Sequence, residues 1–382
     1  MPDTAPLAPH DTRASRHADV LIIGGGIHGA SSAFHLARQG VRVTVLEADY
    51  VGRHSSGVNA GGVRSLGRLL PEIPLSLMSR EIWHRLPELV DDDAGFVPSG
   101  QMKIAETEAE LAECRERVRL LESHGFTHET IIDRDTVLRL EPHLAPHVTG
   151  GIWVADDGYA LPFRATTAFR LAAQKRGAVF HEGTAVTRVT QQGAGWTVQT
   201  AQGAFAADHL VVTAGAWAGA LAEQVGEPVP VHAEGLMLMV THRVAPFCRA
   251  TLGATGRPLS FKQYDNGTVV IGGKLIGIAD LPGRHGEVDF ARLVKSAQTV
   301  VDLFPHLRDL GINRAWAGVE AFTEDSLPVL SNSKQASNLT YSFGYCGSGF
   351  QMGPGCGKLV SELVLNGSAS LNLDAFAIDR FT

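Results

Sequence analysis

Three glycines near the start of the chain have the spacing of a phosphate-binding turn. Gly24, Gly26 and Gly29 fit the pattern G-x-G-x-x-G. In such a turn the first glycine allows the tight bend, the second lets the backbone approach a pyrophosphate, and the third lets a helix pack against its strand. Glu47 closes the next apolar run, where a carboxylate can accept hydrogen bonds from ribose hydroxyls. These residues predict a dinucleotide site, and the acid disfavours a ligand with a 2′-phosphate.

The sequence around the glycine motif predicts the strand and the helix between which a phosphate-binding turn must lie. Residues 19–23 form a continuous apolar run, which is typical of a buried central strand. Apolar residues at helical spacing follow over 30–37 and stop at Gly40. A second apolar run, 41–46, leads to Glu47. The sequence therefore predicts strand, helix and strand, with the N-terminus of the helix directed at the phosphates.

Two further stretches of small residues could follow a long ligand. Residues 52–64 are rich in small and hydroxyl residues, so their backbone can lie close to a ligand and donate N–H groups. Residues 347–357 form a glycine-rich loop in this interpretation, before a predicted helix over 358–365. The N-terminus of that helix could face the anionic edge of a flavin. Together the two stretches favour FAD over NAD.

The ordered set of motifs resembles one enzyme family over nearly the whole chain. After the first glycine motif come the segments 55–61, 211–217, 323–328 and 347–357. In this order they resemble the FAD-dependent amine and amino-acid oxidoreductases, which include D-amino-acid oxidase, glycine oxidase and sarcosine oxidase. Residues 56–64 look most like bacterial subunits called opine oxidase, hydrogen cyanide synthase and D-hydroxyproline dehydrogenase.

The resemblance implies an α/β fold with two interleaved domains. One is a Rossmann-like FAD-binding domain of the glutathione-reductase type, expected over 1–88, 151–228 and 312–382. The other is an α+β substrate domain built on an antiparallel sheet, expected over 89–150 and 229–311. The sequence itself predicts further elements. These are helices over 106–123 and 162–177, strands over 179–180, 185–190, 196–200, 209–214, 236–240 and 267–273, and a hairpin turn at 265–267.

Four residues are candidates for contact with a substrate. A carboxylate substrate needs a cation, preferably a bidentate arginine. The resemblance to sarcosine oxidase implies that Arg64 or Arg68 faces the flavin and the substrate carboxylate, although both could be surface arginines. Tyr264 adjoins the hairpin turn, where the family often has an aromatic residue over the substrate; a half-buried strand tyrosine is the alternative. Gln351 stands where sarcosine oxidase has a carboxylate-binding lysine, which argues against sarcosine itself.

The residues expected to contact FAD come from the same motifs. No cysteine occurs in 317–320, where sarcosine oxidase attaches its flavin, so the resemblance implies FAD bound without a covalent link. No metal site is expected, because no cluster has metal-ligand spacing. The predicted FAD contacts are Gly24, Gly26, Ile27, His28, Gly29, Glu47, Ala48, His54, Ser55, Ser56, Asn59, Ala60, Gly61, Gly62, Val186, Ala214, Gly215, Trp217, Gly347, Gly349, Phe350, Gln351 and Met352.

The favoured hypothesis is an FAD-dependent dehydrogenase of a secondary amine or a D-amino or imino acid. D-proline and cis-4-hydroxy-D-proline are the preferred substrates, with hydride transfer to flavin N5. Residues 269–271 lack the lysine that in sarcosine oxidase assists the reaction with oxygen. This favours electron transfer to a quinone or a partner redox subunit, although Lys274 lies close by. The alternatives are a peroxide-forming oxidase of glycine, sarcosine or an opine, and a flavin-binding subunit of a heteromeric dehydrogenase.

Composition excludes several other classes. A net charge of −7 over 382 residues argues against nucleic-acid binding. The four cysteines are widely spread and predict free thiols. No apolar run is long enough to span a bilayer, and residues 1–17 resemble a disordered lead-in rather than a signal peptide. A cytoplasmic protein is expected; peripheral association with the inner membrane and assembly into a hetero-oligomer are left open.

Overall fold

The glycine motif joins the first strand to the first helix, as predicted. The computed structural model describes residues 16–381. Its strands are β1 (His17–Ile23), β2 (Val43–Leu46), β3 (Gly62–Val63), β4 (Gln101–Ala105), β5 (Thr130–Asp133), β6 (Gly150–Val154), β7 (Gly158–Tyr159), β8 (Val179–His181), β9 (Val186–Gln192), β10 (Gly195–Thr200), β11 (Gly203–Val212), β12 (Val231–Thr241), β13 (Thr251–Ala254), β14 (Ser260–Gln263), β15 (Val269–Gly272), β16 (Ile276–Asp280), β17 (His285–Glu287), β18 (Ile312–Thr323), β19 (Val329–Asn332) and β20 (Leu339–Phe343). Its α-helices are α1 (Ile27–Arg38), α2 (Ser55–Val58), α3 (Ile73–His84), α4 (Leu86–Val90), α5 (Glu108–Ser123), α6 (Arg134–Leu140), α7 (Pro162–Gln174), α8 (Ala218–Glu223), α9 (Phe290–Leu303) and α10 (Gly349–Asn366).

One sheet carries the glycine motif. Among the described residues it has eight strands, in the order β19-β20-β11-β1-β2-β8, with β10 and β9 continuing from β11. β1 pairs in parallel with β2 and with β11, so the carboxyl ends of these three strands meet at one edge. Gly24, Glu47 and Thr213 follow the three strands at that edge. This is the edge at which parallel sheets of this kind bind nucleotides.

A second sheet supplies the opposite wall of the site. In the described part of the chain it has ten strands, in the order β16-β17-β18-β12-β15-β14-β13-β4-β6-β5. Its pairings are antiparallel except that of β13 with β4. β14 and β15 form a hairpin, and the N–H of Gly267 donates to the carbonyl of Tyr264 across its turn. The turn predicted at 265–267 is therefore confirmed.

The two sheets take strands alternately from along the chain. β6 and β18 lie in the second sheet, although the ranges 151–228 and 312–382 were assigned to the FAD-binding domain. The domain boundaries themselves stay a prediction.

The prediction of a glycine-rich loop over 347–357 was wrong from residue 349 onward. α10 begins at Gly349, and most of the stretch lies in its first turns. A Cβ on Gly353 would stand 2.8 Å from the side chain of Ile27, and one on Gly357 would stand 2.1 Å from Ser31 Oγ. The glycines therefore serve the close packing of α10 on α1, which turn-forming composition could not reveal.

The remaining expectations about the chain have mixed outcomes. The four cysteines are free and buried, as predicted. Within residues 16–381, no helix is both long and apolar enough to cross a membrane. The predicted lead-in lies outside the described residues except for its last two, and His17 already belongs to β1.

Candidate active site

Two adjoining cavities lie along the edge where β1, β2 and β11 end. The outer cavity, of about 350 Å³, is bounded by the ends of those strands. The inner cavity, of about 470 Å³, lies between that edge and the second sheet. Gly26, Ser55 and Ser56 line both cavities, so the two form one cleft around the start of α1.

The outer cavity has the groups expected for the adenosine end of a dinucleotide. The Glu47 carboxylate accepts hydrogen bonds from the N–H groups of Gly25, at 2.6 Å, and Asp49, at 2.9 Å. His54 pairs with Asp49 at 2.8 Å, and its ring lies 4.7 Å from that of Trp217. The predicted residues that line this cavity are Gly24, Gly26, Glu47, Ala48, His54, Ser55, Ser56, Val186, Ala214, Gly215 and Trp217.

The glycine motif has the geometry that its spacing predicts. Gly24 has a φ of +107°, which a side chain would disfavour. A Cβ on Gly26 would stand 2.8 Å from Ser56 Oγ, so the bare backbone leaves room in the cleft. A Cβ on Gly29 would stand only 1.9 Å from the carbonyl oxygen of Gly24. Gly29 lines neither cavity, and its role is the close packing of α1 against the turn.

Most of the other predicted residues line the inner cavity, but three do not line the cleft. Tyr264 lines a separate cavity, and its hydroxyl lies 3.1 Å from where a Cβ on Gly61 would stand. Met352 is fully buried in the core, and Gly29 lies in the packing contact described above. The predicted residues that line the inner cavity are Gly26, Ile27, His28, Ser55, Ser56, Asn59, Ala60, Gly61, Gly62, Arg64, Arg68, Gly215, Gly347, Gly349, Phe350 and Gln351.

Both predicted arginines reach the inner cavity, and neither forms an ion pair within the described residues. Arg64 donates from Nη1 to the carbonyl of Leu66 at 2.8 Å. Arg68 is 2% exposed and donates from Nη2 to Gln351 Oε1 at 3.2 Å, while its Nη1 is buried without a partner. Burial, together with the charge of Arg64, lowers the pKa of Arg68 to about 9. Two guanidinium groups without carboxylates leave a place for an anionic ligand.

A buried carboxylate that the sequence did not single out holds the arginine segment. Asp157 has no exposed surface, and it accepts hydrogen bonds from Ser65 N and Ser65 Oγ at 2.8 Å and from Leu66 N at 2.9 Å. Burial raises the pKa of its carboxyl group, against the effect of these hydrogen bonds. Asp157 therefore fixes the backbone between Arg64 and Arg68.

Asp157→Ala is expected to lower the free energy of unfolding by roughly 3 kcal/mol, because it leaves buried N–H groups without acceptors. Urea denaturation followed by circular dichroism measures the change. Asp156→Ala is the matched control, since the Asp156 side chain is 67% exposed, and its loss is expected to cost less than about 0.5 kcal/mol. Equal stability of the two variants would contradict the role of Asp157.

Comparison with known proteins assigns the family. Residues 19–363 match the family model described as FAD dependent oxidoreductase, DAO. The chain belongs to that family. Glycine oxidase of Geobacillus kaustophilus (strain HTA426) is 28% identical over 372 residues, 95% of this chain and 97% of that protein. One of the opine oxidase subunits of Rhizobium meliloti is 27% identical over 380 residues, 95% of this chain and 97% of that protein.

Solved structures show the same relationship. The crystal structure of glycine oxidase from Geobacillus kaustophilus has a TM-score of 0.89 at 26% identity, covering 96% of this chain and 100% of that chain. The predicted fold class, the FAD cofactor and an oxidoreductase acting on amino or imino groups are thereby confirmed. This FAD-dependent oxidoreductase has a cleft that fits the cofactor, since glycine backbone lines both cavities and the Glu47 carboxylate lines the outer one; Glu47 would bind the ribose hydroxyls there.

Gln351 acts on the inner cavity mainly through its neighbours. It is 1% exposed, its Nε2 donates to the carbonyl of Ser76 at 2.8 Å, and its Oε1 accepts from Ser76 Oγ at 2.9 Å and from Arg68. The amide therefore links α10 to α3 and orients Arg68. Gln351 also lines the inner cavity, and its contact with a substrate or with FAD stays a prediction.

Several charged side chains in or near the inner cavity lie outside the predicted set of site residues. Glu320 supplies the one carboxylate that lines the cavity among the described residues, and burial raises its pKa to about 7. Lys274 also lines the cavity and donates from Nζ to the carbonyl of Cys346 at 3.3 Å. Lys262 is fully buried and donates to the carbonyl of Ala60; burial and the charge of Arg64 lower its pKa to about 7. Glu320 belongs to the segment 317–320, which the resemblance places beside the flavin. Its acidic side chain in that segment was the sequence feature that could have identified it.

Proposed function

We propose that this FAD-dependent oxidoreductase oxidises a substrate whose amine-bearing carbon also carries a carboxylate, by hydride transfer to flavin N5. The supporting observation is the arginine pair, which reaches the inner cavity without an ion pair to neutralise it. Arg64 would bind the substrate carboxylate and Arg68 would support it from the buried side. D-proline and cis-4-hydroxy-D-proline are the preferred substrates, in line with the sequence prediction.

The protein's contribution is to bind, orient and exclude water. When bound, FAD supplies the acceptor for the hydride at the inner cavity. Leu236, Leu238 and Leu259 line the second-sheet wall, so a small ring could pack there while its carboxylate faces the arginines. The oxidised product is an imine, which water hydrolyses after release.

The electron acceptor divides two candidate functions. Residues 269–271 contain no lysine, and Val269 and Ile271 are buried in the core. This strand therefore offers no oxygen-assisting lysine to the cavity. This supports a dehydrogenase that passes electrons to a quinone or a partner redox subunit. Lys274 nevertheless places an amine at the inner cavity, which supports the second candidate, a peroxide-forming oxidase of glycine, sarcosine or an opine.

The decisive experiment is an anaerobic screen for flavin reduction over D-amino acids, imino acids, N-methyl amino acids and opines. The substrate found there is then assayed in air for hydrogen peroxide and for reduction of a dye. A dehydrogenase is expected to reduce the dye with little peroxide. Strong peroxide formation that the dye does not suppress would contradict the dehydrogenase and favour the oxidase.

A flavin-binding subunit of a heteromeric dehydrogenase is the remaining alternative. Three of the similar proteins are named as subunits, one of opine oxidase and two of sarcosine oxidase. Gel filtration of the isolated chain, with the same flavin-reduction screen, separates the possibilities. A flavin that only a partner chain makes reducible would favour the dependent subunit. A cytoplasmic location, with or without association at the inner membrane, stays a prediction.

Non-covalent attachment of FAD also stays a prediction, with one supporting contact. Cys346 is a cysteine that lines the inner cavity, and its thiol lies 3.4 Å from Thr323 Oγ1 and 3.3 Å from the carbonyl of Gly344. Burial raises the pKa of this thiol, so the thiolate needed to attack a flavin is disfavoured.

A further inference from the structure

We propose that Glu320 is the base that takes the proton from the substrate's ammonium group before the Cα–H bond breaks. The inference rests on the proposed function, since it concerns the amine whose oxidation that function describes.

The position of Glu320 is the first part of the argument. β18 runs antiparallel to β12 along the cavity wall, and Glu320 lies near the end of β18, directly beside the loop before α10. Its Oε2 atom is 3.6 Å from where a Cβ on Gly347 would stand, and the Lys274 Cε atom is 3.4 Å from the same point. No side chain among the described residues donates a hydrogen bond to this carboxylate. It is therefore free to accept a proton from a ligand in the cavity.

The chemistry of the reaction is the second part. An amino or imino acid carries a protonated nitrogen at neutral pH, and that nitrogen has no lone pair to assist departure of the α-hydride. In the proposed step an N–H bond breaks and the proton passes to the Glu320 carboxylate. The Cα–H bond then breaks, its electron pair leaves to FAD as a hydride, and the nitrogen lone pair forms the C=N bond. FAD is the two-electron oxidant, and the proton on Glu320 passes to solvent.

The charges that face Glu320 support this assignment. Burial raises the pKa of Glu320 to about 7, against the charge of Lys274 and the backbone N–H of Gly347, which lower it. The charge of Glu234 on the neighbouring strand acts in the same direction as burial. Cys346, on the loop before α10, has its own thiol pKa raised by burial. Glu320 is therefore a carboxylate above about pH 7 and a carboxylic acid below it. An efficient base has its pKa near the working pH.

The test is rapid-mixing anaerobic reduction of the holoenzyme, with the substrate found in the screen, as a function of pH. In the unaltered protein the second-order rate of flavin reduction is expected to rise with pH and level off above about 7. We call this rise of the rate with pH the limb. Glu320→Gln is expected to abolish the limb and to lower the rate of flavin reduction at neutral pH about 100-fold. The rate of E320Q should then climb only as the substrate's own ammonium group loses its proton in solution.

Two variants of neighbouring charges move the limb in opposite directions. Glu234→Gln removes a negative charge that raises the pKa of Glu320, so the limb should shift to lower pH. Lys274→Met removes a positive charge that lowers this pKa, so the limb should shift to higher pH. Glu320→Asp is expected to keep the limb with a reduced rate. If Glu320 had a purely structural role, neither Glu234→Gln nor Lys274→Met would shift the limb.

Binding without turnover provides the control for folding. A cyclic carboxylate with no basic nitrogen should perturb the flavin spectrum with the same Kd in E320Q as in the unaltered protein. If E320Q binds this probe normally and keeps both the limb and the rate, the proposal is overturned while the proposed function stands. If no amine reduces the flavin of the unaltered protein, the proposed function fails and this proposal fails with it.

Discussion

Gly29→Ala is expected to weaken FAD binding by about 30-fold. The added Cβ would stand 1.9 Å from the carbonyl oxygen of Gly24; Gly29 lies in the first turn of α1, and Gly24 lies in the turn that precedes it. Relief requires α1 to move away from the turn that approaches the pyrophosphate, and overpacking of this kind costs about 2 kcal/mol. The Kd for FAD, measured by fluorescence quenching on the deflavinated protein, gives the effect directly.

The matched control is another helical glycine with space around it. A Cβ on Gly219 in α8 would have its nearest neighbour, the Val231 side chain, at 3.6 Å, which is an ordinary contact. Gly219→Ala is therefore expected to bind FAD normally and to lose no stability. Circular dichroism of both variants separates a local displacement of α1 from general unfolding. Unchanged FAD affinity in G29A would show that the helix can shift without disturbing the cofactor site.

Arg64→Met is expected to raise the Kd for the carboxylate substrate about 100-fold while FAD remains bound. The methionine keeps much of the side-chain volume but removes the charged donors, and a hydrogen bond to a charged partner contributes about 1.5–3 kcal/mol. Saturation of the anaerobic flavin-reduction rate with substrate concentration measures this Kd. The maximal reduction rate should fall less than the affinity, because the arginine binds the group that does not react.

Arg188→Met is the control for a general change in charge. Arg188 is exposed on β9, in the first sheet, and lines neither cavity. The Arg188→Met variant should bind the substrate with the same Kd as the unaltered protein. Arg64→Lys distinguishes charge from geometry, since a lysine retains the charge but loses the bidentate fork. If R64M binds the carboxylate with unchanged affinity, the carboxylate lies elsewhere, and Lys274 is the next residue to test.

The sequence could place the cofactor because the relevant residues are close together in the chain. Gly24, Gly26 and Gly29 act on one turn and one helix, and Glu47 follows the strand next in the chain. Parallel pairing of β1 with β2 then brings the two ends together. Spacing along the chain was sufficient for this part of the site, and the confirmed family agrees with it.

The sequence was less informative where small residues have more than one use. Glycines over 349–357 suggested a loop, but they lie in α10 because their missing side chains admit α1 and α3. Tyr264 was correctly placed at a hairpin turn, yet that turn directs it to a separate cavity. In both cases the local sequence pattern was present as described. The elements packed against it determined whether the segment formed a helix and which cavity the side chain lines.

By itself the sequence determined the strand–turn–helix typical of a dinucleotide site and the preference for FAD, and the resemblance named a pair of arginines as candidates for the substrate site. Only the tertiary structure showed that Asp157 fixes the arginine segment, that Gln351 orients Arg68, and that Glu320 is the carboxylate of the inner cavity. These contacts join residues from distant parts of the chain. A buried polar group acquires its partners and its shifted pKa only from that assembly, so no local pattern could specify them.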